Sequence, residues 1–335
     1  MSRVEFKRAN YLQVFDKTSD NSAGIQFQPN YHLQNSDFAS FNGNKETKNK
    51  KPSLWAKVGG FFAGSAVFGL VNRPLQKITS KSYSNFLEKI PQSLSLGDTE
   101  KVAKVMVEKS GIGKKGFKHM YINGNNVDEA AKVMEKEFSS IPIIGKKMNS
   151  LWNLVGSTMA EMISEGKDAR FFPNQKIAMA GEKSPEGILH EIGHAINTKS
   201  GKFVKGLITT NRVLAKVAPA AILLVGLLHT NNNEDKKGKG FLTKSADFIK
   251  DNAGTLAFLS AVPMLFEEGL ASAHGLKYAR KVLGKTAKLG GVRKRFAAGF
   301  ASYAVPAGIT ALAINAGIWV RDKIVQPKPV NAKQA

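Results

Sequence analysis

The chain has 335 residues, enough for one large domain or two small ones with a sizeable core. Its 49 Lys and Arg against 26 Asp and Glu give a formal charge of +23, which calls for nucleic acid or for a membrane flanked by basic loops. It has no cysteine, so disulfides and thiolate metal sites are excluded, and any metal must be held by histidine, carboxylate or water.

The N-terminal MSRVEFKRANYLQVF has no apolar core followed by a small-residue cleavage site, so no signal peptide is expected. Residues 1–53 read as a flexible polar and basic arm, rich in Asn, Ser, Gln, Gly and Lys from 17 onward. LWAKVGGFFAGSAVFGLV (54–71) is apolar except for Lys57 and predicts a membrane helix or an interfacial hairpin over 54–72. Residues 73–211 read as one helical region, soluble over 73–170. Helical spacing of apolar positions places helices over Thr99–Lys109 and Val127–Phe138, and a more buried one over 151–163. GIGKKG (111–116) matches the dinucleotide glycine pattern but follows a helix rather than a strand, so helix-stop glycines and a basic loop are the better reading. KIAMA (176–180) is a short strand. Ser184-Pro185-Glu186 then opens a helix over 184–200, with a capping hydroxyl, a proline at the first helical position and an acid in the first turn.

Three more apolar blocks follow: Val213–His229, Phe248–Phe266 and Phe296–Val320. The third has no charge over its length and predicts a transmembrane helix at 296–320, followed by a tail at 321–335. The first two predict a transmembrane hairpin within 212–267, joined by TNNNEDKKGKGFLTKSAD. Pro219, Pro263 and Pro306 do not exclude helices, because neighbouring segments can satisfy the freed carbonyls. Residues 268–295 hold eight Lys or Arg and no acid after Glu268, against five Lys and three acids in 230–250. Positive-inside counting therefore expects the 268–295 side in the cytoplasm of a bacterial-type inner membrane. Basic residues that track the flanks of apolar blocks argue for a lipid bilayer as partner and against nucleic acid.

The 184–200 helix carries GILHEIGHAIN (187–197). Residues i and i+4 lie on one helix face, so His190 and His194 can present imidazole nitrogens to one ion. Glu191, at the side of the pair, is placed to act as general base on a water. The apolar neighbours Leu189, Ile192, Ala195 and Ile196 embed the helix, where buried histidines need partners, and Gly193 keeps one face slim. A catalytic zinc, one per chain, needs a third protein ligand and an open position. His32, His119 and His229 sit in an arm, a basic loop and a helix end, so the better candidates are the carboxylates of FEEGLASAH (266–274). Two spans between His194 and that segment would return the chain to the same membrane face.

HEIGH, two apolar segments and then Glu-x-x-Ala-Ser resembles the membrane zinc peptidases of the CaaX prenyl protease and HtpX-like group, over roughly residues 173–290. The resemblance implies Glu268 as third ligand, with Glu267 as the alternative, and Ser272 where many members carry Asp, hydrogen-bonding a ligating imidazole less strongly than a carboxylate would. It also implies a mainly α fold: integral-membrane helices plus a small α+β zincin-like catalytic core, with a short sheet edge before the HExxH helix along which a polypeptide substrate, such as a membrane protein, is laid as a strand. The implied activity is zinc-dependent endopeptidase, with His274 or Tyr278 as candidates to stabilise an oxyanion. The alternative is a catalytically inactive zincin-like protein, or a non-enzymatic protein binding membranes or anionic partners.

Overall fold

The structure is a computed structural model that describes residues 52–140, 149–229, 240–284 and 289–325. Nearly all of the predicted arm, His32, residues 230–239 and the tail from 326 lie outside the described residues. The helices are α1 (Leu54–Lys89), α2 (Leu96–Ser110), α3 (Val127–Ser139), α4 (Asn149–Ser164), α5 (Gly187–Lys199), α6 (Lys202–Leu228), α7 (Phe241–Asp251), α8 (Ala253–Leu283) and α9 (Gly290–Val325). The strands are β1 (Lys118–Ile122), β2 (Ala169–Phe172) and β3 (Ile177–Gly181).

The sheet order is β1-β3-β2, with β3 parallel to β1 and antiparallel to β2. Every residue of β3 is buried, which explains its unbroken apolar run. Successive side chains point to opposite faces. Ala178 and Ala180 pack with Ile188, Leu189 and Ile192 of α5, while Ile177 and Met179 pack with Met134 of α3 and Ile163 of α4. The expected sheet edge at KIAMA is therefore corrected: β3 is the central strand, and β2 is the edge that packs on the start of α5. A β-carbon at Gly187 would meet the Ala169 β-carbon at 2.7 Å. Strands β1 and β2 lie in a stretch that reads as helix and loop, and His119 belongs to β1 rather than to a loop.

The linker before β1 keeps the expected glycine turns. Ser95 caps α2 by accepting from the Asp98 amide at 3.0 Å, and Gly111 ends it in the left-handed region. A tight turn at Gly113–Lys115 follows.

Among the described residues, three helices are long and apolar enough to cross a membrane: Leu54–Leu87, Ala253–Leu283 and Gly290–Val325. The hairpin alternative for 54–72 is corrected, since α1 continues through Pro74. Asn72-Arg73-Pro74 ends the apolar run in sequence, but Gln76 bonds both Asn72 and Thr310 of α9 and carries the helix onward (2.9 and 3.1 Å). In α6 the apolar part is only Val217–Leu228. The polar stretch after it contains the amphipathic α7, so Phe248–Phe266 is not one block but the end of α7 and the start of α8, broken at Asn252.

A further correction concerns α8. The second hairpin arm and the segment from 268 are one continuous helix, not two elements. Its buried residues include Ala253, Ala257, Ala261, Leu265, Glu268, Ala271, Gly275 and Ala279, a stripe at helical spacing with mostly small side chains. Small side chains let α5, α6 and α9 approach closely, and the stripe places a carboxylate, Glu268, on the packed face. At the far end Arg321, 1% exposed, donates to the Leu227 carbonyl at 2.9 Å and pairs with Asp322, which Lys250 also reaches at 2.8 Å.

Candidate metal centre

The α5 helix starts at Gly187, not at Ser184. The Ser184 hydroxyl does not cap it but accepts from Arg295 Nη1 at 3.0 Å. Glu186, fully buried, accepts from the Ser93 and Leu94 amides at 2.5 and 2.6 Å and pairs with Arg295 Nε at 3.0 Å. Arg295 also donates to the Ile90 carbonyl at 2.9 Å. One ion pair thus ties the N-termini of α5 and α9 to the α1–α2 linker. No local pattern marks Arg295 for this role.

One turn apart on α5, His190 and His194 face each other with ring centroids 4.7 Å apart at 87°. Their Nε2 atoms lie 3.1 Å apart, and Glu268 Oε2 lies 3.0 Å from the first and 3.5 Å from the second. A tetrahedral cation with bonds of about 2.0–2.1 Å needs donors roughly 3.3 Å apart, so this triangle has the right size for one. The ligand atoms of His190, Glu191 and His194 also lie within 4.8 Å of one another, and this group could hold a metal ion.

The outer ring nitrogens are engaged as well. His190 Nδ1 lies 3.0 Å from Ser272 Oγ, and His194 Nδ1 lies 3.3 Å from Glu267 Oε1. Glu267 therefore sits on the outer side of His194, while Glu268 sits where the two Nε2 atoms converge. Asn197, buried and one turn past His194, donates to the Glu267 carbonyl at 3.2 Å and pins α8 against α5 at this level. A polar residue in phase with an apolar helix face is the signal that could have found it. The close approach rests on Gly193, where a β-carbon would lie 2.3 Å from the Ala271 carbonyl oxygen.

Burial raises the Glu191 carboxyl above its usual range, against the lowering effect of His190 and His194 and with the Glu268 and Asp168 charges adding to the rise. For His194, burial would lower the ring, but hydrogen bonds to Glu267 and Glu268 outweigh it and push it up to about 10. A cation at the Nε2 position would have to replace that proton.

His190 and Glu191 line a cleft of about 210 Å³ whose wall includes Gly166, Asp168 and Ala169, the approach to the β2 edge. A second, mostly apolar cavity of about 600 Å³ lies among α1, α6, α8 and α9 and reaches Glu268. Ser302 and Tyr303 of α9 line both. His274 lies six residues past Glu268, on a different helix face, and lines neither cavity. Tyr278 packs against the apolar core. Tyr83 and Tyr303, both absent from the sequence reading, line the cleft instead. His119 and His229 are paired elsewhere, with Glu100 at 3.1 Å and Asp247 at 2.7 Å.

No protein-family model matches the chain, and neither a curated protein nor a solved structure matches it.

Proposed function

We propose that the protein is a membrane-embedded zinc endopeptidase, a distant relative of the CaaX prenyl protease and HtpX-like peptidases with a zincin-like core. The observation that carries this reading is the convergence of His190 Nε2, His194 Nε2 and Glu268 Oε2 within 3.0–3.5 Å of one another, with Glu191 beside them in a cleft. Two imidazoles and one carboxylate, with a fourth position open, form the donor set of a catalytic zinc site. When bound there, zinc would lower the pKa of a water and polarise the scissile carbonyl.

The protein's own residues do the rest. Glu191, its carboxyl raised by burial, takes a proton from the attacking water and returns it to the leaving amine. Ser272 and Glu267 hold the rings of His190 and His194 in the orientation that aims both Nε2 atoms at one point. The β2 edge, open beside the cleft, offers main-chain groups to an extended polypeptide. The apolar cavity on the other side of Glu268 suits an apolar segment, as in a membrane-protein substrate.

Glu268 is 15 residues from the start of α8 (268 − 253), about 22 Å along the helix, just past its apolar half. That depth falls short of the roughly 30 Å of a hydrocarbon core and supports a centre inside the span, toward one face of the membrane. The basic 268–295 segment supports the cytoplasmic side for that face. The test is metal content with activity. Purified protein should carry about one zinc per chain, and Glu191→Gln should keep the zinc while cleavage of an unfolded polypeptide falls about 10²–10⁴-fold. A preparation that folds normally and takes up no zinc would end this reading.

A further inference from the structure

A third cavity, of about 270 Å³, lies at the C-terminal end of α5 and shares no lining residue with the other two. Its floor is apolar: Phe117 and Phe171, ring centroids 6.0 Å apart, with Ile112 and Ala195. Its rim holds three lysines, Lys115, Lys176 and Lys199. Among the described residues that line it, none is acidic.

Two of the lysines are held at the mouth. Lys199 Nζ donates to the Ser110 carbonyl at 2.9 Å, and Lys176 Nζ donates to the Lys115 carbonyl at 3.1 Å. Each bond uses one of the three donors of an ammonium. Lys176 has φ 52°, the only positive φ at a non-glycine among the described residues. Its backbone is tied on both sides, its amide to Pro173 at 3.3 Å and its carbonyl to Lys118 at 2.9 Å. Glycine or asparagine would fill that left-handed position with less strain, so the turn alone does not call for a lysine. The GIGKKG loop, whose glycine pattern has no strand before it, supplies the opposite wall, with Gly111 and Gly116 turning the chain around Ile112 and Lys115.

We infer that this cavity binds a small carboxylate with an apolar body: the head on the lysine rim, a ring or short chain on Phe117 and Phe171. Two sources share that chemistry, a free aromatic or short-chain acid and the carboxyl-terminal residue of a peptide. The site is independent of the peptidase reading.

Calorimetry on the full purified chain in zwitterionic lipid discs tests it, with N-acetylphenylalanine as probe and its amide and acetate as controls. Saturable one-to-one binding of the acid is expected, with the amide and acetate weaker by about tenfold or more, because each control removes one half of the recognition. The Lys115→Gln/Lys176→Gly variant should weaken the acid about tenfold or more without lowering the thermal midpoint, since glycine suits the backbone at 176. Comparing 3-phenylpropanoate with Gly-Gly-Phe then separates the sources: equal affinities support a free acid, and a tighter tripeptide supports a peptide terminus. Absence of binding, an amide that binds as well as the acid, or full binding by the lysine variant would overturn the inference. So would binding lost in His190→Ala but kept in the lysine variant, which would place the carboxylate at the metal centre.

Discussion

Gly193→Ala tests the helix contact on which the whole centre depends. A β-carbon at 193 would lie 2.3 Å from the Ala271 carbonyl oxygen and 2.7 Å from its carbonyl carbon. Both are rigid main-chain atoms, and comfortable contact begins near about 3.5 Å, so α5 and α8 must part by roughly 1 Å. Ala271 is less than one turn beyond Glu268. The same displacement moves Glu268 Oε2 from 3.0 and 3.5 Å to roughly 4 Å from the two Nε2 atoms, wider than the spacing of about 3.3 Å that a tetrahedral ion requires. Overpacking of this kind costs about 1–3 kcal/mol of stability. Zinc affinity should fall about 10–100-fold, the usual effect of displacing a ligand's support. Competition with a chromophoric chelator measures the affinity, and thermal unfolding of the metal-free protein measures the strain. A variant that binds zinc as tightly as the parent, with an unchanged midpoint, would refute the claim that this close approach assembles the centre.

Four further outcomes are expected. Ser272→Ala removes the partner of His190 Nδ1 and should weaken zinc about tenfold, whereas Ser272→Asp should at least preserve it; equal affinities in all three proteins would argue against an orienting role. The proton on His194, held up to about 10, competes with the metal, so zinc affinity should rise by up to about tenfold per pH unit between about pH 6 and 9, and a flat profile in chelator competition would contradict this. In the metal-free protein the same raised value stabilises the fold fully below the unfolded value of about 6.5, and the contribution is lost as pH climbs through about 10. Arg295→Met leaves the buried Glu186 carboxylate without its cation and should cost about 3–5 kcal/mol in chemical denaturation. Adding Glu186→Gln should recover part of that loss, and a single variant as stable as the parent would show that the pair does not anchor α5.

Much of the candidate site was legible because it depends on local geometry. A spacing of four residues puts His190 and His194 on one helix face whatever surrounds them, and the apolar residues between them already required the helix to be buried. Glycine turns at 111 and 116 follow in the same way from backbone conformations that glycine adopts most easily. Choosing Glu268 over its neighbour Glu267 could not rest on local geometry. The two are consecutive on a helix, and which of them meets Nε2 depends on how α8 is rotated against α5, which Gly193 and Asn197 of α5 set from outside the segment. In the sequence that choice rested on resemblance alone.

The strands divide along the same line. KIAMA was readable because both its faces are apolar, but β1 and β2, at five and four residues with mixed faces, carry too little periodic signal to stand out from loops. Whether KIAMA is an edge or a centre depends on partners separated from it in the chain, and pairing on both sides made it the centre. The sequence by itself determined the paired histidines with their glutamate, the turns and the apolar lengths of the long helices, all of which depend on residues within a few positions of one another. Only the tertiary structure decided the phase of α8 on α5, the edge role of β2 and the Glu186–Arg295 anchor, because each depends on atoms brought together from distant parts of the chain.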